Sequence, residues 1–154
     1  ATILIGPKTI TATTLTALDA LSTFVEIGEV EEIPEFGIKW ETGSFTPLKT
    51  GLKQKFKTIQ DNGTMALTAA RKGSDAGQIA ARAAAADKQS AYPIKVILGD
   101  DTGTGTGHQP SRFYFWALVT SATVKTGKAG DLVTTGITLE ITSDIIEGAQ
   151  VAGS

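Results

Sequence analysis

Ser111–Val124, SRFYFWALVTSATV, and Leu132–Ile145, LVTTGITLEITSDI, are the two runs on which the fold turns. In the second, Ile137, Leu139 and Ile141 alternate with Thr138, Glu140 and Thr142. Period two with β-branched residues predicts a half-buried strand, because successive Cβ atoms point to opposite sides of a sheet. The first run puts Phe113 and Phe115 on one side and Tyr114 and Trp116 on the other. Bulky apolar groups on both faces require cover on both faces. Between the runs, Lys125–Asp131 is short and carries Thr-Gly-Lys-Ala-Gly, which suits the closing loop of a hairpin.

Composition narrows the function class. The chain has 154 residues, which most simply make one domain with a real core. Charged residues are 19% and apolar residues 41%, a globular balance; the 17 glycines and many threonines favour strands and turns. A net charge of −2 argues against a general nucleic-acid binder. Without cysteine there is neither a disulfide nor a thiolate metal site. No apolar run approaches the roughly 20 residues of a spanning helix. The start, ATILIGPKTI, lacks the pattern of a signal peptide, so intracellular synthesis is the default expectation.

Working outward, residues 1–14 read as an N-terminal arm that needs something to dock against. Leu15, Leu18 and Leu21 have helical spacing. Glu26, Glu29, Glu31, Glu32, Glu35 and Glu41 form an acidic stretch balanced by Lys39 alone; Lys49, Lys53, Lys55 and Lys57 form a basic one. Residues 29–53 between and across them are expected as a long loop. Asp61-Asn62-Gly63 is a strong two-residue turn signal, predicting a hairpin of Leu52–Gln60 with Thr64–Arg71. Asp75 followed by Gln78 predicts a capping box opening an alanine-rich helix to about Asp87. A strand follows over Pro93–Gly99, then the flexible loop Gly99–Gly107, and residues 147–154 are a small-residue tail. The sum is a mainly β domain spanning 1–154: an antiparallel β-sandwich or partial barrel with one flanking α-helix.

Chemistry is sparse. Gly-Thr-Gly-Thr-Gly leads into an aromatic strand rather than a helix, so a dinucleotide fingerprint fails. Asp100 and Asp101 lack the spacing of a calcium loop, and the single His108 has no cysteine to join it on zinc. No G-x-S-x-G occurs. Tyr114 and Trp116 offer stacking surfaces for a sugar or base, against the plainer reading of core or interface. The residues leave three classes open: a self-assembling structural protein, a carbohydrate- or capsid-binding module, and a small barrel enzyme with the glutamates at its mouth.

The order of features resembles the major tail tube protein of a long-tailed bacteriophage. An acidic strand leads into a long loop, followed by K-F-K-T-I-Q-D-N-G-T-M-A-L, a helix opened by D-A-G-Q, and Y-P-I-K-V-I-L-G-D. Then come a Gly/Thr loop, F-Y-F-W-A-L-V-T-S and T-G-I-T-L-E-I-T-S. The match covers about Phe24 to Glu147 and lacks an appended immunoglobulin-like domain. The resemblance implies a structural virion protein, not an enzyme and without a cofactor, in rings, usually hexameric, stacked into a tube that delivers DNA. It implies as partners further copies of the chain, tape measure, tail terminator and tail tip proteins, with transiting DNA not specifically bound and no membrane insertion. It implies assembly in the host cytoplasm and residence in the virion. A non-contractile tail is favoured by the long loop; secretion-system tubes are the related alternative. On this reading Thr138, Glu140 and Thr142 face the lumen, and Glu29, Glu31 and Glu32 meet Lys49, Lys53 and Lys55 between rings.

Overall fold

The structure, a computed structural model, describes residues 1–100 and 107–151. Along them run β1 (Thr2–Ile5), α1 (Leu15–Asp19), β2 (Val25–Glu26), β3 (Val30–Glu32), β4 (Trp40–Phe45) and β5 (Gln54–Gln60). There follow β6 (Thr64–Ala70), α2 (Ala76–Ala86), β7 (Tyr92–Ile97), β8 (Arg112–Lys125), β9 (Thr134–Ile141) and β10 (Ile146–Gly148). The main sheet has the order β2-β1-β7-β8-β9-β6-β3, with β10 pairing β8. Every pairing is antiparallel, and the sheet curls into a half-barrel with one main helix on it. β4 and β5 form a separate two-stranded sheet.

β8 and β9 pair from Ala117↔Ile141 to Lys125↔Thr134, with a bulge between Val119 and Ser121. Ile137, Leu139 and Ile141 are buried and join Phe115, Ala117, Val119, Met65, Leu67, Ile94 and Val96 in one core. Each large side chain fully buried there contributes about 1.5–3 kcal/mol of apolar transfer. The helix α2 closes this core with Ala81 and Ala84. Alanine lets the helix axis come close, and Gly77 touches backbone at Glu26 and Ile27. The opposite face of β8 is covered too. Tyr114 is buried there against Phe24, their ring centroids 5.9 Å apart, and α1 adds the buried Leu18. Phe115 and Tyr114, on opposite faces of β8, are thus both covered, while Trp116 is half-buried.

Three expectations are corrected. Residues 1–14 are not simply an arm: Thr2–Ile5 is a strand between β2 and β7, with Ile3 and Ile5 buried. Its alternation supplies an inward face, which an arm does not need. Nor does the Asn-Gly signal make a hairpin, because β5 pairs with β4 while β6 pairs with β9 and β3. Asn62 is buried; its amide accepts from Lys39 N at 3.2 Å and donates to Ser143 O at 2.9 Å. Residues 61–63 are thus a junction that pins a second hairpin to the sheet. The physical reason lies in the strands: β6 buries Met65, Leu67 and Ala69, whereas β5 is lysine-rich and exposed along nearly its whole length. The expected loop 29–53 holds β3 and β4.

The expected helix is present, with Asp75 accepting from Gln78 N at 2.9 Å. Gln78 does not complete a capping box. Its buried amide donates to Gly28 O and Ala70 O and accepts from Lys72 N, tying the helix start to the turn between β2 and β3 and to the end of β6. The Gly/Thr loop expected at 99–107 lies largely outside the described residues.

Candidate assembly surfaces

One uncovered sheet face is built from hydroxyls. Thr64, Ala66 and Thr68 of β6 point away from the core, opposite Glu140, Thr138 and Gly136 of β9. Thr64 Oγ1 donates to Glu140 Oε1 at 2.7 Å, so the carboxylate is held across the strand pair. On the other side of β9, Leu118 lies opposite Glu140 and Ser121 opposite Thr138. Thr142 follows the end of β9, exposed, its backbone N donating to Trp116 O at 2.9 Å. Thr138 and Glu140 are thus on one face, and Thr142 extends it past the strand.

The acidic residues flank this same face. Glu31, Glu32 and Glu35 share a shallow cavity with Ala66 and Thr68, and Glu32 pairs with Thr68 in register. Glu29 occupies the turn before β3 with φ 62, its carbonyl accepting from Ala70 N at 3.0 Å. The lysines lie elsewhere. Lys55 and Lys57 are on β5, and Lys49 and Lys53 in the bend between β4 and β5. Among the described residues, no ion pair joins the two sets.

The β4–β5 hairpin is amphipathic, as the alternation of Lys53, Lys55 and Lys57 with Phe56 in the sequence leads one to expect. In register, Gly43 faces Phe56 and Phe45 faces Gln54; the Phe56 ring lies over Gly43, where a Cβ would come within 2.6 Å. That side presents Phe45 and Phe56. The other presents Lys55 and Lys57, with the Lys57 ammonium 5.3 Å from the Trp40 ring centroid. Trp40, Phe45, Leu48, Leu52, Phe56 and Ile59 are all exposed. So much exposed apolar surface on one hairpin, on both of its faces and at its tip, marks an interaction surface on a folded protein.

Comparison with known proteins bears on the fold. No family model matches the chain, and no curated protein matches it. Solved structures do. A chain from the sheath/tube terminator of an extracellular contractile injection system in its extended state superposes with a TM-score of 0.66 at 16% identity, covering 96% of this chain and 92% of its own. A chain from a sheath-tube complex of such a system gives 0.65 at 15%, covering 96% and 87%. A chain from the tail of an empty gene transfer agent particle, refined with C6 symmetry, gives 0.63 at 13%, covering 96% and 95%. The chain shares the fold of these tail and injection-system chains. Contractile injection systems share it, so the fold does not support the expected restriction to non-contractile tails.

Beneath α1 lies a polar cluster that sequence reading missed. Asp19 accepts from Arg112 Nε and Nη2 at 2.7 Å each and from Tyr114 Oη at 2.7 Å. The Arg112 hydrogen bonds hold the Asp19 carboxyl below the usual carboxylate range, against the opposing effect of burial. Burial first, then the bond to Asp19, pushes the Tyr114 phenol up. Arg112 also donates to Ala149 O and Pro110 O, linking α1 to the segment after β10. The available signal was an arginine opening an aromatic strand: a cation between two covered faces needs a carboxylate. Among the described residues no group of three or more His, Cys, Asp or Glu is placed to hold a metal ion.

Proposed function

We propose that this chain is a structural protomer that assembles with its own copies into stacked rings, forming a tail tube through which DNA passes. The observation that carries the reading is the β4–β5 hairpin: on a tail-tube fold, it holds six large apolar side chains in solvent. A protein that functioned as a monomer would gain nothing from that surface and would risk aggregation. The partners on this reading are the chain itself and the tape measure, terminator and tip proteins of a tail. Rings are hexameric, assembly takes place in the host cytoplasm and the product resides in the virion.

The hydroxyl face of β6 and β9, carrying Thr138, Glu140 and Thr142, lines the lumen on this proposal. Threonine and alanine give duplex DNA few charged anchors, while Glu140 within the face and Glu35 beside it repel phosphate. Lysines there would add affinity with every phosphate neutralised and would slow passage. Glu140→Lys particles are accordingly expected to assemble but to eject DNA more slowly, as followed by dye release in single-particle ejection. Unimpeded ejection removes the lumen assignment.

Negative-stain microscopy of the purified protein is expected to show rings or hollow tubes. A monodisperse monomer at high concentration overturns the proposal. Contact between rings is assigned to Glu29, Glu31 and Glu32 against Lys49, Lys53 and Lys55, since the two sets do not meet within one chain. Joining different patches on successive copies makes a heterologous interface that propagates. Reversing charge at Lys53 and Lys55 is expected to block tube growth while leaving the far-ultraviolet circular dichroism unchanged; tubes of normal length would discard the ion-pair assignment.

A further inference from the structure

Residues 7–23 form a strap between two strands that already pair with each other. It leaves the sheet after Ile5 and returns at Val25, which lie opposite in the β1–β2 ladder. Among the described residues, no backbone hydrogen bond joins the strap to the sheet. Those of Ile10, Leu18, Ala20 and Leu21 stay within it. Lifting the strap therefore breaks no ladder. Side chains hold it at two places. Lys8 Nζ donates to Asp87 at 2.9 Å in solvent, where an ion pair contributes little. Asp19, beside the buried Leu18, makes the stronger contact with Arg112 and Tyr114. Between the two in the chain, Thr13 borders an open cavity of about 290 Å³ next to Trp116.

Arg112 divides its donors between two segments. Nε and Nη2 hold Asp19, while Nη1 reaches Ala149 O at 3.2 Å and Pro110 O at 3.4 Å. Its side chain also lies across Gly148, where a Cβ would come within 2.8 Å. We propose that the strap opens as one unit and that Arg112 is a lock it shares with residues 149–151, so that both segments are released together while the sheet stays folded. Departure of Asp19 leaves Arg112 near Lys95, whose ammonium stands 5.3 Å from the Tyr114 ring centroid. Two cations without their carboxylate repel, and the guanidinium turns to water, away from Ala149 O. Opening also changes what the sheet shows. Tyr114, Trp116 and Leu118 stand on one side of β8, and Leu118 lies opposite Glu140. The strap thus covers one end of the sheet face that β6 and β9 leave bare, and lifting it extends that face onto Tyr114. This release needs no second copy of the chain.

Hydrogen exchange of the full chain, diluted until it is unassembled, reads the opening by mass spectrometry. Peptides covering residues 7–23 and 149–151 are expected to share one protection factor, lower than that of β9. Lys8 contacts Asp87 and neither Arg112 nor residues 149–151. Lys8→Gln is nevertheless expected to speed exchange in both segments by the same factor, about two to five. In the Asp19→Ala/Arg112→Met background the same change is expected to act on the strap alone. Strap peptides that exchange no faster than β9 would show that no separate unit opens. Residues 149–151 left unmoved by Lys8→Gln while the strap responds would refute the shared lock. So would an equal response of both segments in the background without Arg112.

Discussion

Gly77→Ala is expected to destabilise the folded chain by about 3 kcal/mol or more, a large share of a typical total of about 5–15 kcal/mol. On helix propensity alone the change should help, since alanine exceeds glycine by about 1 kcal/mol within a helix. Contact decides otherwise. A Cβ at Gly77 would lie 1.9 Å from Glu26 O, 2.4 Å from Glu26 C and 2.6 Å from Ile27 Cα. These are backbone atoms of β2 and its continuation, fixed in turn by Ile27 N donating to Ile3 O at 2.9 Å. Neither side can rotate away, as a flexible side chain would. To relieve the overlap the helix must lift, and lifting pulls on the Gln78 amide that ties it to Gly28 and Ala70. Urea unfolding followed by circular dichroism measures the loss, with Ala83→Gly as the comparator. Ala83 is exposed in the same helix, and its substitution is expected to cost about 1 kcal/mol by propensity alone. A Gly77→Ala midpoint equal to the wild type would mean that the helix is not seated as closely as the structure shows.

What was legible in the chain was whatever one local period decides. Ile137, Leu139 and Ile141 are buried as their alternation predicts, and β8 is covered on both faces where Tyr114 and Phe115 stand, though not toward Lys125. The cap at Asp75 and the extent of α2 follow from local chemistry as well. Illegible were the choices of partner. Gly63 takes a positive φ of 82 but Asn62 does not, so the two-residue turn that Asn-Gly favours is not formed, and the strands on either side enter different sheets. A preference for a tight turn says nothing about whether the flanking strands share a face. Gln78 shows the same limit, since a glutamine at the third helical position can reach back to the cap or outward to strands distant in sequence. The glutamates and lysines were legible as blocks; the cavity beside Ala66 and Thr68 that holds Glu31, Glu32 and Glu35 was not.

The hairpin follows different energetics from the body. A two-stranded ribbon without a packed face is marginally stable in water. Here its root is pinned by Asn62, by Asp61 N donating to Lys39 O at 2.9 Å, and by Gln60 donating to the Asn62 side chain at 3.3 Å. The body therefore fixes where the hairpin starts, and the far end has Phe45, Leu48 and Leu52 with no core to enter. Stability and assembly are thereby separable. Substitutions at the tip are expected to act on association and leave the unfolding midpoint of the monomer nearly unchanged, unlike those at Gly77 or beneath α1.

Asp19→Ala is expected to cost about 2–4 kcal/mol, the lower part of the range for breaking a buried pair because Asp19 keeps 24% of its side chain exposed. Its removal strands a guanidinium that is itself 9% exposed, leaving Arg112 with the carbonyls of Ala149 and Pro110 at 3.2 and 3.4 Å. It also takes the acceptor from the buried Tyr114 hydroxyl. The double variant Asp19→Ala/Arg112→Met is expected to recover much of the loss, since an apolar pair no longer buries an unpaired charge. The sign with pH follows from Asp19, whose folded pKa is lowered, chiefly by the Arg112 hydrogen bonds. A lowered carboxylate contributes fully above its unfolded value of about 3.9 and loses that contribution as pH falls through the folded value. Arg112, its pKa raised by the same bonds, stays charged throughout and adds no slope in that window. Urea midpoints at pH 7 and pH 3 should therefore fall further for the wild type than for the double variant. Equal falls would assign the acid sensitivity to other carboxylates. Asp87, held low by Lys8 and by the backbone at Gln89 and Ser90, is the first to test in that event.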